Sequence, residues 1–68
     1  MSVYKVIELV GTSTESWEKA AAAAVERASS SLRELRIAEI TDLDMQLGDG
    51  KVVAYRAKVK VSFKYEED

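Results

Sequence analysis

The sequence predicts an α+β fold in the order strand, helix, strand, strand, and three observations carry the prediction. VYKVIELV, residues 3–10, is rich in Val and Ile and reads as a strand. Between residues 17 and 32 apolar side chains, most of them small, recur every three or four positions, the period of one helix face. Two long β-prone runs flank Asp49-Gly50, a strong signal for a two-residue hairpin turn.

The first strand is expected to end at Gly11-Thr12-Ser13, where Gly11 permits a sharp turn and Ser13 is a good N-cap. Glu15 and Glu18 put negative charge where the helix dipole favours it, and Thr12 with Glu15 forms an alternative capping box one residue earlier. The acidic first turn makes GTSTES, residues 11–16, a helix cap rather than an anion site. The helix is expected from about Thr14 to Ser31. Trp17, Ala20, Ala21, Ala24, Val25, Ala28 and Leu32 draw its apolar stripe, and a stripe of mostly small side chains packs close to a sheet. The serines at 29–31 weaken the helix, and a connection near residues 31–34 leads into the second strand.

That strand, LRIAEITDLDMQL at residues 35–47, is long where strands usually have about five or six residues. Strict alternation leaves neither of its faces cleanly apolar. With Asp49 and Gly50 as the turn, Ile37 is expected opposite Ser62, Glu39 opposite Lys60, Thr41 opposite Lys58 and Leu43 opposite Arg56. These share one face with Met45 and Lys64. The other face pairs Ala38 with Val61, Ile40 with Val59 and Asp42 with Ala57, next to Tyr55 and Phe63, and this is the face the helix is expected to cover. Cross-strand ion pairs in water account for the charges of the first face, whereas Ile37, Leu43 and Met45 point to contact with other subunits or a ligand.

A chain of 68 residues is read as a single domain, 1–68. A domain this small buries only about 60% of the surface its unfolded chain exposes. With no Cys and no His, disulfides and ordinary zinc sites are excluded, which leaves oligomerisation, with an oxygen-ligated cation as an addition. The same absence, and the lack of GxSxG, P-loop or GxGxxG patterns, removes the parts of nucleophilic and phosphate-cradling chemistry; the chain is not expected to be an enzyme. A net charge of −2 lacks the basic excess of nucleic-acid binders. The N-terminus lacks the form of a signal peptide, and no run approaches about 18 apolar residues. The expectation is a cytoplasmic protein with neither nucleic-acid nor membrane partners.

Glu8, Glu39, Asp42, Asp44 and Asp49 offer hard oxygen donors of the kind that bind Ca2+ or Mg2+, although no EF-hand loop is present. One chain gathers too few of them, but ligands can converge where symmetric copies meet. The alternative is that they are ordinary solubilising acids.

VIELVGTS ahead of an Ala-rich helix, then RIAEI and the closing KVKVSFKYEE, resemble the dodecins over essentially the whole chain. The resemblance implies a βαββ domain whose three-stranded antiparallel sheet partly wraps around one helix, twelve copies assembling as a hollow homododecamer. It also implies a non-enzymatic role in storing or sequestering flavin, FMN or riboflavin, in pockets near two-fold axes. There paired isoalloxazine rings stack between Trp side chains and are fixed by a Gln; some members bind coenzyme A or cations. At the matching positions this sequence has Ile37 for the Trp and Arg56 for the Gln. An aliphatic side chain supplies no offset π-stacking, and Arg offers donors only where an amide offers both donor and acceptor, so flavin binding is weakened. Ile37, Arg56, Asp42 and Gln46 are the residues assigned to the flavin position. The MSVYKVI start, the SWE helix entry and Tyr55-Arg56 are more similar to the calcium dodecin branch, which implies Ca2+, with Glu8, Asp42 and Asp44 as the candidate metal ligands. The function expected is a dodecameric binding or storage protein for a cation or small ligand. A flavin-storing dodecin and a ligand-free structural shell are the alternatives.

Overall fold

In the computed structural model, which describes residues 2–66, the chain folds as β1 (Val3–Ser13), α1 (Trp17–Ser29), β2 (Leu35–Gly48) and β3 (Lys51–Glu66). Met1 and Glu67, which fall within the segments quoted for the resemblance, and Asp68 lie outside the described residues. The three strands form one antiparallel sheet in the order β1-β3-β2. The expected βαββ order is therefore observed, with β3 in the middle.

β1 continues through Gly11 to Ser13, past the turn that the sequence placed at Gly11. What Gly11 supplies is close approach: a Cβ built on it would lie 1.9 Å from the carbonyl oxygen of Ala20 and 3.1 Å from the Ala24 Cβ. The alanine stripe lets α1 come this near. Ser13 does not cap the helix. Its hydroxyl accepts from the backbone N–H groups of Glu15 at 3.0 Å and Ser16 at 3.4 Å, which bends the chain one turn early. Ser16, extended at φ −164° and ψ 162°, is the N-cap and accepts from the Lys19 N–H at 3.0 Å, satisfying a donor that has no partner within the helix.

α1 begins at Trp17 rather than Thr14 and ends at Ser29 rather than Ser31. The hydroxyls of Ser29 and Ser30 donate back to the carbonyls of Glu26 and Arg27, the local competition that makes Ser a poor helix residue. Ala20, Ala24, Ala57, Val59 and Val61 are buried between helix and sheet, with Ile7, Leu9, Ala21, Val25 and Leu35 packed around them. The helix lies on β1 and β3 and barely reaches β2. It covers the expected face of the hairpin through β3, where Ala57, Val59 and Val61 are buried, and leaves the β2 edge of that face open, with Ile40 and Leu43 about half exposed.

Asp49 and Gly50 turn the hairpin with φ of 53° and 75°, the paired positive values of a type I′ turn. The register from Ile37 to Ile40 is the expected one. A shift at Arg36 precedes it, setting Leu35 opposite Phe63, and between Ile40 and the turn the pairing changes twice more, at Thr41 in β2 and then at Val53 in β3, each being an extra residue with no partner opposite. Between the two bulges Asp42 faces Lys58, Leu43 faces Ala57 and Asp44 faces Arg56, in place of the expected Thr41–Lys58, Leu43–Arg56 and Asp42–Ala57. A one-residue slip moves every side chain to the opposite face. Leu43 and Met45 therefore join the helix side, while Asp42, Asp44 and Gln46 join the open side. Thr41 secures the slip with a hydrogen bond from its hydroxyl to the Lys58 carbonyl at 3.3 Å.

The result is elongated, 53 × 19 × 13 Å, with a radius of gyration of 14.0 Å where a compact chain of this length has about 11 Å. Its accessible surface is 5117 Å², against about 4,200 Å² for a compact monomer of the same mass. Among the described residues no helix is long and apolar enough to cross a membrane.

Candidate functional site

The face of the sheet away from α1 carries acids and bases side by side. β3 runs through its centre, and successive rows across β1, β3 and β2 read Val6–Ser62–Ile37, Glu8–Lys60–Glu39, Val10–Lys58–Asp42 and Thr12–Arg56–Asp44. Lys60, Lys58 and Arg56 of β3 thus each have an acid in the row beside them. Val6, Val10 and Ile37 break the pattern with exposed apolar groups, Ile37 being 66% exposed.

At one end of this ladder Arg56 grips Asp44 with two hydrogen bonds, Nε to Oδ1 at 2.7 Å and Nη2 to Oδ2 at 2.8 Å. The two planar groups meet as a fork, the geometry that makes Arg–carboxylate pairs strong and directional. Both side chains remain partly open, at 42% and 43% exposure. These hydrogen bonds lower the Asp44 carboxyl below its usual range; lost hydration opposes them, and the charges of Arg56 and Lys58 add to the lowering. The same partner raises Arg56. Asp44 is held from behind as well, because its carbonyl accepts the Trp17 indole N–H at 3.0 Å. Trp17 in turn meets the Tyr55 ring edge-on, with centroids 5.1 Å apart.

The residues predicted from sequence are brought together unevenly. Ile37, Arg56, Asp42 and Gln46, assigned to flavin, all lie on the strand positions of this face. Ile37 and Arg56 are nevertheless six residues apart along β3, since Ile37 faces Ser62, which is about 20 Å of extended strand. Glu8, Asp42 and Asp44, assigned to metal, share the face too, but Glu8 sits on β1 with β3 between it and the aspartates. Among the described residues no three acidic side chains gather as a metal site within one chain. Oxygen donors of the right kind are present without the convergence that Ca2+, with its six to eight ligands, requires.

Ile37 has no π-face, and the Arg56 guanidinium is already engaged by Asp44. On the helix side, Trp17, Glu18, Ala21, Ile40 and Leu43 line an open apolar cleft of about 480 Å³.

Sequence reasoning missed the Asp44–Arg56 pair because it carried a single alternation through Thr41. It also read Trp17 as an ordinary core residue. An indole N–H requires a partner when buried, and that requirement was the available signal for a polar tie from the helix to β2.

A family model described as Dodecin matches residues 3–66. The calcium dodecin of Mycobacterium tuberculosis is 50% identical over 64 residues, covering 94% of this chain and 90% of the relative. A crystal structure of a Thermus thermophilus protein superposes with a TM-score of 0.91 at 40% identity, covering both chains completely. The crystal structure of the M. tuberculosis calcium dodecin, described as calcium chelating and as having a novel calcium-binding site, gives a TM-score of 0.87 at 46% identity, covering 98% of this chain and 96% of that one.

Proposed function

The chain belongs to the dodecin family, and from that premise we propose that it is a non-catalytic binding and storage protein that sequesters calcium, with flavin binding weakened. The observation that carries the reading is the open sheet face. It offers Glu8, Glu39, Asp42 and Asp44 as oxygen donors, while Ile37 and the engaged Arg56 withhold what a flavin ring would use. Its similarity to a calcium dodecin supports the same assignment.

The site is completed between subunits. Among the described residues one protomer places too few carboxylates together and holds its Ile37 and Arg56 positions far apart, so a single ligand meets both only where two copies present opposite ends of this face. The elongated shape and the exposed Val6, Val10, Ile37 and Leu47 supply surface for such contacts, and a cytoplasmic homododecamer is the assembly proposed. Glu8, Asp42 and Asp44 are the ligands assigned to calcium; Ile37, Arg56, Asp42 and Gln46 line the residual flavin position.

Calorimetric titration with Ca2+ tests the function, and melting temperature with and without the ion provides the second readout. Binding heat with a rise in melting temperature is expected, because a ligand that binds the folded state stabilises it by mass action. Absence of both refutes the calcium reading. A purified protein that is yellow and quenches added riboflavin favours the flavin-storage alternative instead. Sedimentation at the mass of a 7.5 kDa monomer refutes the assembly.

A further inference from the structure

We propose that Asp44 is a specificity-determining residue of the open face: by occupying the Arg56 guanidinium it excludes phosphate-bearing ligands and selects uncharged or cationic ones. The inference deepens the binding reading and rests on it, since it concerns which ligands that face admits.

A guanidinium fork matches the geometry of phosphate oxygens as well as that of a carboxylate. On this face Asp44 takes the Nε–H and one Nη2–H of Arg56, at 2.7 and 2.8 Å, which is one edge of a guanidinium that carries five N–H donors. The carboxylate is partly exposed, but the position of its backbone is tied down. Its backbone is fixed by the Trp17 indole N–H through the Asp44 carbonyl, and the bulge at Thr41 sets which side of the sheet its side chain occupies. Asp44 is thus placed from one face of the sheet to act on the other.

The surroundings show what the carboxylate holds off. Thr12 lies across from Arg56 on β1, and Lys58 is the next residue of β3 on the same face. A guanidinium, a hydroxyl and an ammonium group are the donors that recognise a phosphate monoester. With Asp44 ionised, its charge cancels that of Arg56 and repels an incoming oxyanion. With an uncharged side chain in place of the Asp44 carboxylate, the same three side chains form an anion site. Asp42 faces Lys58 and carries the same charge as Asp44 without engaging the guanidinium fork, which makes it the matched control.

The test is a titration of 15N-labelled protein with inorganic phosphate at constant ionic strength, following the Arg56 Nε–H resonance. Four forms are compared: wild type, Asp44→Asn, Asp42→Asn, and Asp44→Asn with Arg56→Gln followed on neighbouring amides. Asp44→Asn keeps the carbonyl that binds Trp17, so the fold is retained; circular dichroism checks this. Phosphate affinity is expected to rise at least about tenfold in Asp44→Asn, the factor that one charge-assisted hydrogen bond supplies. It should rise clearly less in Asp42→Asn, which frees only the charge of Lys58, and be lost again in the double variant. The proposal is overturned if folded Asp44→Asn responds to phosphate as wild type does, or if Asp42→Asn gains as much, which would mean that net charge alone matters. Because phosphate is the probe, a failed calcium titration strikes the functional reading and leaves this result standing.

Discussion

Replacing Gly11 by Ala tests the packing that holds helix to sheet. The added methyl would sit 1.9 Å from the Ala20 carbonyl oxygen and 3.1 Å from the Ala24 Cβ, whereas ordinary contact begins near 3.4 Å. The main obstacle is helix backbone, which has no rotamer to adopt. Helix and strand must separate by about 1.5 Å, the difference between those distances, and the separation loosens Ala20, Ala24, Ala57 and Val59 together. Overpacking a tight core costs about 1–3 kcal/mol, and a backbone clash belongs at the upper end. About 3 kcal/mol in a domain of this size lowers the melting temperature by roughly 12–24 °C. Thermal unfolding followed by circular dichroism measures this, with protein concentration held fixed because assembly makes the midpoint concentration-dependent. Adding Ala24→Gly removes only the lesser contact and restores little. A Gly11→Ala variant melting within about 2 °C of wild type would refute the close-approach account.

Ser16→Ala removes the N-cap acceptor of α1 and should cost about 1 kcal/mol, read as a melting temperature lower by about 4–8 °C. Ile37→Trp combined with Arg56→Gln should strengthen riboflavin binding in a fluorescence-quenching titration; unchanged affinity would mean that the two positions do not have the assigned roles. The Asp44 carboxyl is lowered from 3.8 by Arg56, so the stability it contributes is present above that value and lost as pH falls through the lower folded value. Urea midpoints measured from pH 5 downward should therefore show a smaller acid loss in Asp44→Asn, and identical profiles for the two proteins would contradict the pairing.

Much of the architecture was legible in the sequence because it depends on local signals. Asp49-Gly50 determined the hairpin, and the spacing of Ala20, Ala24 and Ala28 identified the buried helix face. The helix start was misplaced because Ser13 and Ser16 are both good caps, and the choice between them depends on where β1 ends. That end is set by pairing with β3, out to Ser13 opposite Tyr55, a long-range contact with no local signature. The candidate site was legible in composition and less so in arrangement. Arg56, Asp42 and Asp44 were all singled out, but their partners depended on Thr41 and Val53, and neither Thr nor Val marks a bulge in the way Gly does.

The two bulges behave like a frameshift followed by its suppressor. From Asp42 to Gln46 the strand is read one residue out of step, and on either side the original frame returns. Which side chains face the open surface is therefore governed by two positions outside the charged groups themselves. A single insertion or deletion near Thr41 would exchange Asp42 and Asp44 for Leu43 and Met45 on that surface, turning an ionic face into an oily one without changing any residue of the site. Relatives that differ there by one residue can present different chemistry on the same scaffold, and alignments that slide a gap through this segment would compare side chains from opposite sides of the sheet.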